Sequence, residues 1–160
     1  MTGWMQRLGS GQLAACCARE ENTFTFDPQG AEAQVGEVVV IAEGKRVVVL
    51  DGEGPWQLAP GFLAIPTPGH TEGHCVLLYQ ERFLFTGDHL DWDRDARQLS
   101  ASEDYCWYSW PQQAESMGRL AAYRFEWVLP GHGQRVHLPA TETRQQIGRL
   151  AESMRERSQV

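Results

Sequence analysis

The sequence predicts a mixed α/β or α+β domain, with strands in its first half and helices alternating with strands in its second. Runs of β-branched residues lie between residues 37 and 50, whereas the apolar spacing of helices appears only after residue 110. This order of elements indicates a mixed class rather than an all-α or all-β one. A chain of 160 residues is typical of one domain and can bury a core without disulfide bonds. We therefore expect a single domain over residues 1–160.

The two β-branched runs in the first half predict a hairpin. Residues 37–41 and 46–50 are separated by Ala42-Glu43-Gly44-Lys45, a short connection that contains glycine. Before this hairpin, residues 3–21 allow a short helix, and residues 22–36 carry loop-forming residues. Three further strands are predicted after it, at residues 62–66, 74–79 and 82–86, with a tight connection at Gln80-Glu81 between the last two.

The second half predicts two helices with one strand between them. The first helix follows Trp110-Pro111, where proline suits the first helical turn. A short strand at residues 126–129 then runs into Pro130-Gly131, and an amphipathic helix follows. The apolar faces of the two helices consist of Ala114, Met117, Leu120 and Ala121 in the first and of Ile147, Leu150, Ala151 and Met154 in the second.

Charge and composition favour a protein that acts on small molecules. The formal net charge is −7, and no long basic run is present, which argues against nucleic-acid and anionic-membrane partners. The four cysteines contain no CxxC pair, which argues against a zinc ribbon and favours free thiols in a reducing compartment. Neither a signal-peptide pattern nor a stretch of about 20 apolar residues occurs, so we expect a cytoplasmic location.

Three segments each place polar side chains on a glycine-bearing loop directly beside an apolar strand. A rigid scaffold commonly presents metal ligands in this way, and imidazole and carboxylate groups suit zinc, iron or manganese. In the first segment Pro68, Gly69 and Gly73 disfavour a helix, so its two histidines are expected on a loop. The segments are 67–74 with His70 and His74, 83–89 with Asp88 and His89, and 127–133 with His132.

The order of these segments, PGHTxGH, then FTGD, then PGHG, resembles that of the metallo-β-lactamase superfamily, the fold of glyoxalase II-like thioesterases. The resemblance covers about residues 56–133, and the aromatic block at residues 105–110 is similar to a cyanobacterial and plant branch. It implies that His70 binds one metal ion, His132 binds a second, and Asp88 bridges both and takes part in catalysis. The implied fold is part of an αββα sandwich, mainly its C-terminal half. The implied activity is hydrolysis of a small ester, thioester, lactone or phosphoester with zinc, or with iron or manganese.

One part of the superfamily pattern is missing. The motif His-x-His-x-Asp-His supplies the remaining ligands in that superfamily, yet His70 is the first histidine of this sequence. Three of the usual ligand positions are therefore present and four are absent. We expect an incomplete domain that is inactive by itself, so whether the chain is an enzyme stays open. The alternative is a non-catalytic binding or assembly module, which self-associates through an uncovered apolar face or pairs with a missing N-terminal segment.

The remaining polar and aromatic residues leave alternatives open. His74 is expected to pack or hydrogen-bond beside the ligands, and His89 either orients Asp88 or lies on the surface at a strand end. The aromatic block at residues 105–110 either forms the wall of a substrate pocket or packs in the core. His137 is expected to be exposed to solvent. The alternating Asp91, Asp93 and Asp95 lack the glycine and distal glutamate of a calcium loop, so they predict a solvated acidic face.

Overall fold

The computed structural model describes residues 39–42, 45–48 and 53–158, and the fold is mixed α+β. Strands β1 (Val39–Ala42) and β2 (Lys45–Val48) pair antiparallel, with Val39 opposite Val48, which confirms the predicted hairpin. Its connection lies outside the described residues, as do the predicted short helix at 3–21 and the loop at 22–36. Among the described residues, no helix has both the length and the apolar character needed to cross a membrane.

A six-stranded sheet forms the centre of the fold, in the order β10-β9-β6-β5-β4-β3. All neighbouring strands in it are antiparallel except β6 and β9, which are parallel. Strands β4, β6 and β9 consequently run in the same direction, and their carboxyl ends lie at one edge of the sheet. Its strands are β3 (Trp56–Ala59), β4 (Phe62–Pro66), β5 (Cys75–Tyr79), β6 (Phe83–Gly87), β9 (Trp127–Pro130) and β10 (Val136–His137).

Two helices cover one face of this sheet. Helix α1 (Trp110–Leu120) begins at Ser109, whose side chain accepts a hydrogen bond from the backbone N–H of Gln112, and it has proline in its first turn as predicted. Helix α2 (Ala140–Arg157) packs against α1. Alternate strand residues point toward the helices and form the core with them. This core includes Ile65, Val76, Leu78, Leu84 and Val128 from the sheet, and Ala114, Met117, Leu120, Ile147, Ala151 and Met154 from the helices.

The opposite face of the sheet carries a row of aromatic rings across five neighbouring strands. Successive ring centroids are 4.1, 6.2, 6.5 and 4.7 Å apart, and the ring planes are inclined by 22–26°. Neither α1 nor α2 packs on this face, because the side chains that contact them alternate with those of the row. The rings belong to Phe62, Tyr79, Phe83, Trp127 and His137. His137 is exposed, as the sequence predicted.

Four short strands were not predicted from the sequence. Strands β3 and β10 lie at the two edges of the sheet, and strands β7 (Asp91–Asp93) and β8 (Gln98–Ser100) form a separate hairpin. These strands contain only two to four residues, too few to show an alternating pattern. In the β7–β8 turn, the carboxylate of Asp93 accepts hydrogen bonds from the backbone of Asp95 and Ala96. This acidic residue therefore stabilises a turn.

Candidate functional site

The three motif loops meet at the edge where β4, β6 and β9 end. His70 follows β4, Asp88 directly follows β6, and His132 follows β9. The His132 Nδ1 atom lies 2.7 Å from Asp88 Oδ1, within hydrogen-bond distance. The His70 Nε2 atom lies 3.8 Å from Asp88 Oδ2. The structure thus brings together the three residues that the sequence singled out, with one imidazole on each oxygen of the Asp88 carboxylate.

The exposure of these three side chains increases from one side of the cluster to the other. His70 is 1% exposed, Asp88 23% and His132 59%. A small molecule can therefore approach from the His132 side, while His70 forms the buried wall. This gradient is typical of a concave site that opens to solvent on one side.

The His70 loop has its position because it packs tightly against helix α1. Gly69 has a φ of +146°, and a Cβ atom there would lie 2.3 Å from the Cα atom of Gln113 in the first turn of α1. The Ser116 hydroxyl also donates to the carbonyl of Pro68 at 2.7 Å. Glycine at position 69 is therefore required both by the backbone conformation and by the close approach of the helix.

The Asp88 and His132 loops are held together by their glycines. The backbone N–H of Gly131 donates to the carbonyl of Gly87 at 2.8 Å, which links the loop after β9 to the loop after β6. Gly87 has a φ of +53°, and a Cβ atom at Gly131 would lie 3.3 Å from Asp88 Oδ1. The two glycines thus let the backbones approach closely enough for His132 to reach Asp88.

His74 lies beneath the cluster and contacts several of its parts. Its Nδ1 atom is 2.8 Å from the hydroxyl of Thr67, and its ring meets the His70 ring edge-on at 5.7 Å between centroids. Burial, together with the neighbouring His70, lowers the pKa of His74 to about 4, against the opposing effect of the Asp88 carboxylate. His74 is therefore uncharged near neutral pH, and it lies next to the predicted ligand His70.

His89 is completely buried, so the alternative that it lies on the surface is wrong. Its ring stacks on that of His74 at 5.3 Å, and its carbonyl accepts a hydrogen bond from the Gln113 side chain. Burial, reinforced by the neighbouring His74, lowers the pKa of His89 well below its ordinary value. The chain turns at Asp88, where the His89 N–H donates to the Thr86 carbonyl, and the His89 side chain is buried beneath the loops. A strand-end position in the sequence did not reveal this burial.

The aromatic block beside the site divides between core and surface. Trp110 is 6% exposed and belongs to the core, as one of the two alternatives expected. Packing in the core is wrong for Tyr105, Trp107 and Tyr108, which are 66%, 71% and 48% exposed. The ring of Trp107 lies 5.5 Å from that of His70. The sequence had not decided that these three rings are exposed or that the Trp107 ring lies next to His70.

The donor atoms suit a metal ion, although the side chains do not form a ready-made site. Two donors of one ion at about 2.0–2.2 Å from it lie about 3.0–3.5 Å from each other. The distance from Asp88 Oδ1 to His132 Nδ1 is 2.7 Å, below that range, and the distance from Asp88 Oδ2 to His70 Nε2 is 3.8 Å, above it. Within the described part of the chain, no group of three or more His, Cys, Asp or Glu side chains has the geometry to hold an ion. Metal binding by His70, Asp88 and His132 stays a prediction, one that requires shifts of a few tenths of an ångström.

No family model matches this sequence, and no curated protein matches it either. The likeness to the metallo-β-lactamase superfamily therefore depends on the motifs and on their order along the chain. The distances, burial and hydrogen bonds of the cluster come from the structure and do not depend on that likeness.

Proposed function

We propose that the chain is a metal-dependent hydrolase domain of the metallo-β-lactamase type that acts on a small ester, thioester, lactone or phosphoester. The observation that carries the proposal is that each oxygen of Asp88 faces a different imidazole at the edge shared by three strand ends. Two imidazoles and one carboxylate are donors that zinc, iron or manganese accepts. The proposal includes the view that the sheet and its two helices are part of an αββα sandwich.

Each residue of the cluster has a distinct role in this proposal. His70 would be the buried ligand of one ion, His132 the exposed ligand of a second, and Asp88 would contribute its carboxylate to both. A bound ion would polarise a carbonyl or phosphoryl oxygen of the substrate, which is the chemistry that hydrolysis needs. His74 packs edge-on against the predicted ligand His70 from beneath, and His89 stacks on His74, so both would help to hold His70 in position through packing. Because three donors leave an ion largely hydrated, we expect weak metal binding and low turnover by this chain alone.

Location and partners are part of the same proposal. Cys106 is a free thiol, which supports a reducing, cytoplasmic setting. The partly exposed aromatic row on the face of the sheet opposite α1 and α2 supports self-association, because large apolar patches commonly mark interfaces. The partner in the reaction is a small molecule rather than a nucleic acid or a membrane.

A second candidate is a non-catalytic binding module. The specific observation in its favour is the direct contact between His132 and Asp88 at 2.7 Å. A hydrogen bond of this length satisfies the carboxylate without a metal ion. In that case the three loops keep the same arrangement, and the hydrogen bond between His132 and Asp88 stabilises it in place of a metal ion.

Zinc titration calorimetry of the chain and of two variants distinguishes these candidates. Asp88→Asn keeps the size of the side chain but removes its charge, and we expect it to weaken zinc binding by at least about tenfold. His137→Gln replaces an exposed histidine on β10 and is the matched control, with unchanged binding expected. Hydrolysis of a panel of small esters, thioesters and lactones is measured on the same samples.

Two results would count against the hydrolase proposal. Zinc binding by Asp88→Asn at the parent affinity would show that the cluster is not the binding site. Absence of any zinc binding and turnover in the parent chain would favour the non-catalytic module. The exposed control histidine separates binding at the cluster from unspecific binding to surface imidazoles.

A further inference from the structure

Three large aromatic side chains lie exposed within four consecutive residues beside the cluster. Tyr105, Trp107 and Tyr108 are the large apolar or aromatic residues whose exposure stands out in the described part of the chain. Scattered single exposed hydrophobic residues are ordinary, whereas a group of them next to a candidate site marks a binding surface. Tyrosine and tryptophan also supply rigid apolar area with a polar tip, which suits recognition of small molecules.

The exposure of these rings does not come from a loose loop. The backbone N–H of Trp107 donates to the carbonyl of His70 at 3.1 Å, and that of Ser109 donates to the carbonyl of Gly69 at 2.9 Å. The thiol of Cys106 also donates to the Gly69 carbonyl, at 3.2 Å. Residues 106–109 are therefore attached to the loop that carries His70, and Trp107 keeps a defined position relative to that histidine.

Trp107 is the ring nearest to the cluster. Its ring centroid lies 5.5 Å from that of His70, with the planes inclined by 34°, so part of one indole face contacts the imidazole. The side chain is nevertheless 71% exposed. Most of the indole is thus available to a molecule bound next to His70.

The charges around these rings select against an anion. Glu103 and Asp104 precede the aromatic residues, Glu72 lies exposed on the His70 loop, and residues 67–74 and 103–109 contain no lysine or arginine. Burial raises the pKa of the Cys106 thiol, two backbone N–H groups counteract the shift, and the Glu103 carboxylate adds to it. The field of Glu103 therefore reaches the middle of the aromatic loop and disfavours negative charge there.

From these contacts and charges we infer that Trp107, flanked by Tyr105 and Tyr108, is a specificity-determining platform that stacks an uncharged, flat apolar group next to the scissile bond of the substrate. The inference depends on the proposed hydrolase function for the identity of the site. It narrows the substrate class to uncharged aromatic or similarly flat esters and lactones. Anionic thioesters and phosphoesters, whose charge would lie against Glu103, are disfavoured.

The test uses the metal-free full chain with benzyl alcohol as the neutral probe and benzoate as an anionic probe that has the same ring and a similar size. Binding is followed by NMR through the tryptophan indole and histidine ring signals. We expect benzyl alcohol to shift the Trp107 and His70 signals and to bind more tightly than benzoate. Trp107→Ala should weaken benzyl alcohol binding by about 2- to 10-fold, the range expected for loss of one aromatic stacking partner, and Trp107→Phe should retain most of it. Trp127→Phe, at the far end of β9, is the control.

Tighter binding of benzoate, unchanged binding by Trp107→Ala, or shifts at Trp127 rather than Trp107 would each overturn the inference. Tyr108→Ala provides a second variant, for which a smaller loss is expected and a gain in affinity would contradict the platform. None of these measurements requires a metal ion. Zinc binding without probe binding at Trp107 therefore overturns the platform alone, and probe binding without zinc binding overturns only the proposed hydrolase function.

Discussion

Mild acid should destabilise this fold because it must protonate a buried imidazole. His74 is 1% exposed, and burial lowers its pKa from 6.5 to about 4 in the folded chain. Below pH 6.5 the unfolded chain therefore binds a proton at this position that the folded chain does not. The charged and titratable groups facing His74 are His70, His89 and Asp88, of which only Asp88 raises its pKa.

The size of the effect follows from the pKa difference. A shift from 6.5 to about 4 corresponds to about 3 kcal/mol when both states have titrated. The stability is fully present above pH 6.5 and is lost progressively as the pH falls toward 4. Lowering the pH from about 7 to about 5 should reduce the free energy of unfolding by about 2 kcal/mol through His74 alone. His89, whose pKa is also lowered, adds to the loss in the same direction.

Urea unfolding followed by circular dichroism at these two pH values measures the loss. His74→Gln removes the titration, so the variant should lose about 2 kcal/mol less than the parent between the two pH values, whatever its stability near pH 7. His137→Gln is the matched control at an exposed histidine, and its loss should equal that of the parent. An equal loss in His74→Gln and in the parent chain would refute the assignment of the acid sensitivity to His74.

Two further predictions use pairs of matched substitutions, each measured by urea unfolding. Gly69→Ala should destabilise by at least about 3 kcal/mol, because the new Cβ atom meets the backbone of α1. Gly148→Ala, where nothing lies within 4 Å, should stabilise by about 0.5–1 kcal/mol, and the opposite order would contradict the close approach. Gln146→Leu leaves the buried Leu99 N–H without its 2.8 Å acceptor and should cost about 1–3 kcal/mol. Gln145→Leu, at an exposed position, should change stability by less than about 0.5 kcal/mol, and equal effects at the two glutamines would refute the role of this hydrogen bond.

Local patterns in the sequence were enough to predict the longer strands and both helices. Strand β4 matches its predicted bounds, β5 and β6 lie within one residue of theirs, and both helices contain the apolar faces predicted for them, because period-2 and 3.6-residue apolar patterns and proline or glycine breakers act locally. The tight connection at Gln80 and Glu81 was also predicted: both residues have positive φ, and the Arg82 N–H donates to the Tyr79 carbonyl across them, as in a type I′ turn. The short strands could not be predicted, since a strand such as β10 is defined only by its pairing with β9.

The sequence also selected His70, Asp88 and His132, because each follows an apolar strand on a glycine-bearing loop. Their proximity was decided by the tertiary structure, since the parallel pairing of β6 with β9 puts the Asp88 and His132 loops at one edge. Burial was likewise decided by distant contacts. His89 lies inside because His74 and helix α1 pack over it, and Trp107 lies beside His70 because their backbones are hydrogen-bonded. Spacing along a chain encodes local conformation, whereas burial and proximity depend on residues far away in sequence, which no local pattern contains.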